Sequence, residues 1–327
     1  MNNITIGQFI PGDSFLHRLD PRVKLLSLIL MLTAIFIIPI QLDIVPIASM
    51  LSISAFIVFL TVLSGVSIRK VLNGLRPIVF LLTFTFFIQL FYVTEGTLVV
   101  PAIQMSLSLS SIAALILFII FYQWSKKYIK FRILYFFFAV MMVFVIQALL
   151  PYGVLYQYEL EIFDQGLMRA GFIFVRIANV IVLSSLLTFT TMTTDLNYGI
   201  ESLLKPLKIV KVPVDVLAMM LSLTLRYIPT LLGETEKIMK AQASRGVDFK
   251  ESKFKDKIIQ IISLLIPVFV ISFKRAEDLG NAMEVRGYVI GEKRTKIDLY
   301  TIGFKDFVSM SVIILILASV IYFRIIT

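Results

Sequence analysis

Long apolar stretches alternate with short polar segments over the first 190 residues, and this pattern predicts six membrane-spanning helices. A helix needs about 20 mostly apolar residues to cross the hydrocarbon core of a bilayer. The first predicted helix has a distinct start, because Asp20 can cap it and Pro21 suits its first position. We place the six helices at 23–40, 44–63, 78–93, 103–122, 131–150 and 170–190, and a seventh at 307–323.

The segment 191–306 has a different pattern, in which charged and apolar stretches follow one another within long helical runs. The apolar stretches lie at 215–232 and 258–273. We predict two long helices, at about 213–246 and 254–287, each apolar in one half and charged in the other. The sequence leaves open whether their apolar halves cross the membrane fully.

A short amphipathic helix precedes these two long helices. Thr194 or Asp195 can cap it, and Lys205, Lys208 and Lys211 follow it. We expect the helix to lie on the cytoplasmic surface, with the lysines reaching toward lipid phosphates. Its apolar residues recur at helical spacing and are Leu196, Ile200, Leu203, Leu204 and Leu207.

The composition is typical of a polytopic membrane protein. Of the 327 residues, 58% are hydrophobic and 16% are charged. Soluble domains contain about 45–50% apolar and about 25% charged residues. The predicted fold class is therefore an all-α integral membrane protein with about seven spans, one amphipathic surface helix and two long helices on the cytoplasmic side.

The basic residues indicate the orientation, because cytoplasmic loops carry an excess of Lys and Arg. The loops at 41–43, 94–102 and 151–168 contain neither residue. The alternate loops carry Arg69, Lys70, Arg76, Lys126, Lys127, Lys130 and Arg132. We predict a multi-pass cell-membrane protein with its N-terminus and long helices in the cytoplasm and its C-terminus outside. This distribution accounts for the net charge of +10 without a nucleic-acid partner.

The sequence offers few groups for metal or catalytic chemistry. It has no cysteine and one histidine, His17, so zinc, haem and cysteine-nucleophile sites lack ligands. The predicted spans hold no paired acids, histidine cluster or activated nucleophile, which argues against an intramembrane enzyme. We therefore predict no catalytic residue, no metal and no cofactor.

Each predicted long helix ends in the same motif: Ala, three variable residues, Arg and Gly. The copies lie at 241–246 in "KAQASRGVDF" and at 282–287 in "NAMEVRGYVI". Glycine can take the left-handed conformation that closes a helix, and the helix dipole favours a cation there by roughly 0.3–1 kcal/mol. Ordinary helix capping would explain one copy. Two copies, each with a flat guanidinium beside small residues, favour docking into carboxylate-lined grooves.

Several segments together resemble the transmembrane (T) component of energy-coupling factor transporters, the EcfT/CbiQ family. They are "GDSFLHRLDPRVKLL" before the first span, "LLTFTTMTTDL" after the sixth, "LRYIP" in the first long helix and the two Arg-Gly endings. The motif of this family is usually Ala-Arg-Gly, and Ser244 and Val285 stand here in place of the last alanine. Glu284 and Tyr288 match the second copy as the family commonly shows it.

The resemblance implies a coupling subunit of a vitamin or metal-ion importer that two ABC-type ATPase subunits drive. The long helices would be coupling helices, with each motif in a groove of one ATPase, and would pass motion to a small membrane S component that binds the substrate. The chain itself would bind no nucleotide, and it lacks a G-x-x-x-x-G-K-[ST] loop. The implied docking residues are the anchors Arg245 and Arg286, with Ala243, Ser244, Gly246, Ala282, Glu284, Val285 and Gly287 around them.

The predicted organisation has three parts: a membrane region at 1–190, a coupling-helix region at 191–304 and a C-terminal span at 305–327. Family members are often shorter, and residues 94–150 have the pattern of an additional hairpin, which would contact lipid or a specific partner. The alternative function is a pore-forming permease subunit of an ordinary ABC transporter. Such a subunit would typically carry one coupling loop instead of two helices with matching ends.

Two arginines lie within apolar sequence, where a centred charge costs at least ~2.5–3.5 kcal/mol. For Arg176 two interpretations stay open: helix packing or contact with the S component, and snorkelling from one end of its span. For Arg226, in "LRYIP", we favour a structural role that braces the first long helix.

Overall fold

The computed structural model describes residues 9–41, 43–75, 78–93, 95–125, 132–149, 152–247, 254–290, 292 and 300–326. Most of these residues are helical, which confirms the predicted all-α membrane fold class. The helices are α1 (Pro21–Ile37), α2 (Ile44–Leu63), α3 (Ile68–Leu75), α4 (Val79–Tyr92), α5 (Leu109–Ser125), α6 (Arg132–Leu149), α7 (Asp164–Thr190), α8 (Thr193–Leu204), α9 (Val214–Ser244), α10 (Phe254–Val285) and α11 (Phe304–Ile326).

Five helices in the described ranges are long and apolar enough to cross a membrane: α2, α7, α9, α10 and α11. A sixth crossing results if α3 and α4, which are bent by 64° at the break between them, form one broken span. Helices α1 and α5 are apolar but have only 17 residues each. Arg76, Lys126, Lys127 and Lys130, which entered the orientation argument, lie outside the described residues.

Two antiparallel strands, β1 (Leu98–Ser108) and β2 (Val154–Phe163), flank the hairpin of α5 and α6. The prediction of one span over 103–122 is therefore wrong in its first six residues, which belong to β1. Likewise, 94–102 and 151–168 are not simple loops. The apolar sequence of β1 does not show whether the segment is a strand or a helix, because the strand forms by pairing with residues far along the chain. Pro101, which has no N–H to donate, lies where the register shifts between Val100 and Ile103.

The chain forms two compact units. The first, which we call the membrane unit, comprises Met1–Leu16, Leu28–Phe189 and Ser311–Thr327. Its core joins four helices at side chains that are at most 7% exposed. Close packing of this kind stabilises helices in a bilayer, where lipid solvates apolar side chains as well as protein does. The core residues are Met31, Ala34, Ile35 and Ile38 near α1, Met50, Ile53 and Ile57 on α2, Leu183 on α7, and Ile313 and Val320 on α11.

The second unit, which we call the coupling unit, comprises His17–Ser27 and Thr190–Met310. Asp20 is buried in this unit and is only 3% exposed. The Asp20 carboxylate accepts a hydrogen bond from the amide of Arg22 at 2.9 Å, which confirms the predicted cap of α1. The amide of Asp20 donates to the carboxylate of Asp306, at the start of α11, at 2.8 Å. The Arg22 guanidinium lies over the ring of Tyr198, on α8.

Helix α8 confirms the predicted amphipathic helix as far as Leu204, while Leu207 lies in the 3₁₀ helix Lys205–Val210 that follows. The predicted cap is wrong, because α8 begins at Thr193, directly after Met192. Its buried residues are Asn197 and Gly199. A Cβ atom on Gly199 would lie 2.6 Å from a methyl of Leu25 and 3.1 Å from the carbonyl of Pro21, so α8 and the start of α1 meet too closely for any larger residue. Ile200, on the predicted apolar stripe, is 38% exposed, as a lipid-facing side chain would be.

Candidate docking site at the ends of the long helices

The two predicted long helices are confirmed as α9 and α10, and each of them ends one residue before the arginine of its motif. Gly246 follows with a φ of 91°, and Gly287 with a φ of 69°. Both glycines thus have the left-handed conformation that the sequence predicts. A Cβ atom on either would meet nothing within 4 Å among the described residues. The backbone angle, and not crowding, therefore requires glycine at these positions.

The hydrogen bonds at both ends form the same closing pattern. In the first copy the amide of Val247 donates to the carbonyl of Gln242 at 3.1 Å, and that of Gly246 to Ala243 at 3.0 Å. In the second copy the amide of Tyr288 donates to the carbonyl of Met283 at 3.0 Å, and that of Gly287 to Glu284 at 2.9 Å. This pair of bonds is the Schellman motif, which satisfies the free carbonyls of a helix C-terminus. Capping accounts for the glycines, but it does not require arginine.

The remaining motif residues lie on the surface. Ala243, Ser244 and Arg245 are exposed at the end of α9, and Ala282, Glu284, Val285 and Arg286 are exposed at the end of α10. The side chain of Val285, beside Arg286, is 89% exposed. Each helix end therefore presents a cation beside small or apolar residues.

The two helices contact each other through an ion pair that the sequence analysis missed. A terminal nitrogen of Arg275 on α10 donates to a carboxylate oxygen of Glu234 on α9. The side chains are 36% and 19% exposed, respectively. The 41-residue spacing of the two motifs could have pointed to this contact, because Glu234 and Arg275 are also 41 residues apart.

The matches to known proteins cover nearly all of the chain. A family model described as "Cobalt transport protein" matches residues 97–297. The energy-coupling factor transporter transmembrane protein EcfT of Bacillus subtilis (strain 168) is 33% identical over 99% of this chain and 98% of its own length. The corresponding protein of Thermosediminibacter oceani is 36% identical over 90% of this chain and 88% of its own.

The chain belongs to the EcfT/CbiQ family. It is thus the transmembrane component of an energy-coupling factor transporter and a multi-pass membrane protein. An EcfT protein of Lacticaseibacillus paracasei is likewise 33% identical, over 94% of both chains. These relatives confirm the resemblance that the motifs indicate.

Arg176 of this EcfT-family chain packs inside the membrane unit. Its guanidinium donates a hydrogen bond to the carbonyl of Ile38, just beyond the end of α1, and its charged carbon lies 5.1 Å from the ring centre of Phe172. A cation on the free carbonyls at a helix C-terminus is favourable. Three residues further along α7, Asn179 donates to the hydroxyl of Ser54 on α2 at 2.7 Å. Of the two interpretations left open for Arg176, these contacts favour helix packing.

Arg226 is exposed on α9, so its bracing role stays a prediction. In the coupling unit the structure adds contacts that the sequence did not predict. Asn197 on α8 donates to the hydroxyl of Ser222 and to the carbonyl of Ala218, both on α9. Lys24 donates to the carbonyls of His17 and Thr190 at 3.2 and 3.1 Å. These bonds anchor the beginning of α9 and the segment that precedes α8.

Proposed function

We propose that this transmembrane component transmits ATP-driven motion of two ABC-type ATPase subunits to a small membrane S component, for uptake of a vitamin or metal ion. The observation that carries the proposal is the pair of matching, exposed helix ends at Arg245 and Arg286. One docking end would serve a single partner, whereas two matching ends fit two related subunits.

The chemistry of the two ends suits a carboxylate-lined groove. A guanidinium presents a planar fork of donors that binds a carboxylate in a bidentate manner. The backbone beside it can approach closely because Ala243, Ala282 and the two glycines leave space. At the second end, Val285 and Glu284 lie next to the arginine, so the two ends are not identical. This difference would allow each end to prefer one of the two ATPases.

The length of α9 and α10 suits transmission of motion. With 31 and 32 residues, the helices extend over about 46–48 Å each. The beginning of α9 is fastened to α8, while most of its length and all described side chains of α10 are not fully buried. Leu217, Met220 and Ile228 are among the exposed apolar side chains of α9, and together they would face the S component and lipid.

The proposal includes an orientation and a division of tasks. The N-terminus and the coupling helices would lie in the cytoplasm and the C-terminus outside. Residues 1–190 and 305–327 would hold the protein in the membrane, and 191–304 would couple. ATP hydrolysis would occur in the partner subunits. The surface of the hairpin within 94–150 would contact lipid.

The test is co-purification from the native membrane in mild detergent, with the tagged wild type beside Arg245→Glu/Arg286→Glu. We expect the wild type to bring down ABC-type ATPases and a small membrane protein. The double variant should lose most of the ATPase, because a glutamate would then face the carboxylates of each groove and repel them. It should keep the small protein, because the rest of the surface is unchanged. Mass spectrometry of the small protein would indicate the class of substrate.

A matched control is Lys237→Glu/Lys274→Glu, which changes the net charge by the same amount at exposed positions outside the motifs. This control should retain both ATPases. If a well-folded wild type brings down no ATPase, or if the control loses as much ATPase as the motif variant, the docking role is wrong.

A further inference from the structure

The Glu234–Arg275 pair lies at the same position in both helices. Glu234 is 11 residues before Arg245, and Arg275 is 11 residues before Arg286. At about 1.5 Å per residue, each helix therefore extends about 16 Å from this contact to its motif. We call these two segments, 234–245 and 275–286, the arms, and they are equal in length.

Six half-buried positions on each helix share this register. On α9 they include Leu223, Tyr227, Leu231, Glu234, Ile238 and Gln242. On α10 the positions 41 residues later, Leu264, Val268, Ser272, Arg275, Leu279 and Met283, are half-buried as well. Their three- and four-residue spacing marks one face of a helix. The two helices thus contact each other through faces that correspond residue by residue, with an offset of 41 positions. The ion pair joins two corresponding residues, Glu234 and Arg275, as expected if an approximate two-fold axis through the contact relates the helices.

The length of the connection between the helices limits their crossing angle. Measured from the ion pair, the end of α9 is about 15 Å away and the beginning of α10 about 31 Å away. Helices that ran in the same direction would place these two points about 46 Å apart, whereas the nine residues between Ser244 and Phe254 reach at most about 36 Å. The helix directions must therefore diverge by roughly a right angle or more, which places the two motif arginines about 23–33 Å apart.

The chemistry at the crossing suits a pivot. Interdigitated apolar side chains select one crossing angle, because ridges of one helix fill grooves of the other. Two long, flexible charged side chains can stay in contact while the helices rotate about it. A slide by one helical turn, about 5.4 Å, would separate them. The second carboxylate oxygen of Glu234 is buried and has no hydrogen-bond partner among the described residues, so it is available to the guanidinium as the angle changes.

We propose that Glu234 and Arg275 are a positioning pair that acts as the fulcrum of the coupling helices. The pair fixes the register, so that equal displacements of the two motif ends become a change of crossing angle and not a slide of one helix along the other. This inference rests on the proposed docking function, because it assigns a role to the helices between the two ATPases.

The distance between the arms tests the fulcrum directly. The chain has no cysteine, so Lys240→Cys/Asn281→Cys introduces one spin label on each arm at equivalent, exposed positions. The full-length chain would be measured in lipid nanodiscs by double electron–electron resonance. We expect a single distance peak, which Glu234→Arg should broaden and shift to longer distance, since two cations would then face each other.

Two further variants separate positioning from general damage. Glu234→Arg/Arg275→Glu should restore the peak by exchanging the charges, and Arg275→Lys should largely retain it. Glu236→Arg, an equal charge change at an exposed position two residues away, is the matched control and should leave the distribution unchanged. The fulcrum is refuted if Glu234→Arg leaves the peak in place, or if the exchange does not restore it.

Co-purification distinguishes a refutation of the fulcrum from a refutation of the proposed docking function. Glu234→Arg keeps both motif ends and should still bring down the ATPases, while its altered arm distance should reduce substrate uptake severalfold in cells. An unchanged distance peak together with bound ATPases overturns only the fulcrum. Absence of ATPases from the wild type overturns the docking function, whatever the distances show.

Discussion

The core of the membrane unit and the coupling helices differ in how completely their side chains are covered. In the core, Ala34 and Ile35 are fully buried, and Ile53 and Ile57 are 1% exposed. Among the described side chains of α10, none is buried, and α9 buries only two residues near its start. The difference indicates that packing within the chain stabilises the membrane unit, while lipid and partner proteins must cover α9 and α10.

The comparison also separates two uses of a charged side chain. Arg176 in the membrane unit binds a carbonyl of its own chain and contacts an aromatic ring, so its charge serves packing. Arg245 and Arg286 lie on exposed helix ends whose backbone is already satisfied by the Schellman bonds. A cation that the fold does not need is the better candidate for binding a partner.

The largest effect expected from this comparison is on stability when a core side chain is truncated. Ile35→Ala should destabilise the chain by about 2–5 kcal/mol, because the cavity in the membrane-unit core cannot collapse fully. Ile259→Ala, the same change at a side chain 65% exposed on α10, should have little effect on the isolated protein. Thermal unfolding in detergent, followed by size-exclusion chromatography, would measure both. Equal losses of stability in the two variants would contradict the difference between the membrane-unit core and the coupling helices.

A smaller effect should follow from removing the two arginines that lie within apolar sequence. Arg176→Met leaves the carbonyl of Ile38 without its donor and should cost about 1–3 kcal/mol of stability. Arg226→Met, at an exposed position, should change the stability of the isolated chain far less. Both variants can be compared by the midpoint of their thermal unfolding. A greater loss at Arg226 would show that this residue, and not Arg176, braces the fold.

The smallest effect concerns the helix ends. Gly246→Asn should be tolerated, because asparagine adopts left-handed angles more readily than other residues. Gly246→Val should cost about 1 kcal/mol or more, because a β-branched residue is strained at a φ of 91°. The circular dichroism signal on heating would report the stability, and ATPase co-purification would report docking. If Gly246→Asn is stable but loses the ATPase, close approach at this glycine contributes to docking, as its open surroundings suggest.

Much of the architecture could be predicted because it follows from local rules. Apolar length predicts α2 without error at either end, and the Arg-Gly endings predict the ends of α9 and α10 to within two residues. Asp20 and Pro21 mark the start of α1 correctly. The cap of α8 was predicted wrongly at Thr194 or Asp195, because the helix begins at Thr193 and its N-cap residue Met192 offers no side-chain capping bond that a sequence preference could reveal.

Features that depend on distant residues were missed. The strands β1 and β2 pair residues on either side of the hairpin, and an apolar run such as 103–108 is equally compatible with a span. Asp306 was taken only as the limit of a segment, but it binds the amide of Asp20, 286 residues earlier in the chain. Each of these features arises from a pairing that local periodicity does not contain.

The sequence by itself determined the family, the membrane class and the two capped helix ends, because apolar length, glycine conformation and motif spacing are properties of short segments. Only the tertiary structure decided what the charged residues contact. It assigned Arg176 to the end of α1 and Glu234 to Arg275, and it left the motif arginines exposed. The physical reason is that an ion pair or a hydrogen bond depends on the separation of its atoms in space, and the fold alone sets that separation for residues far apart in the chain.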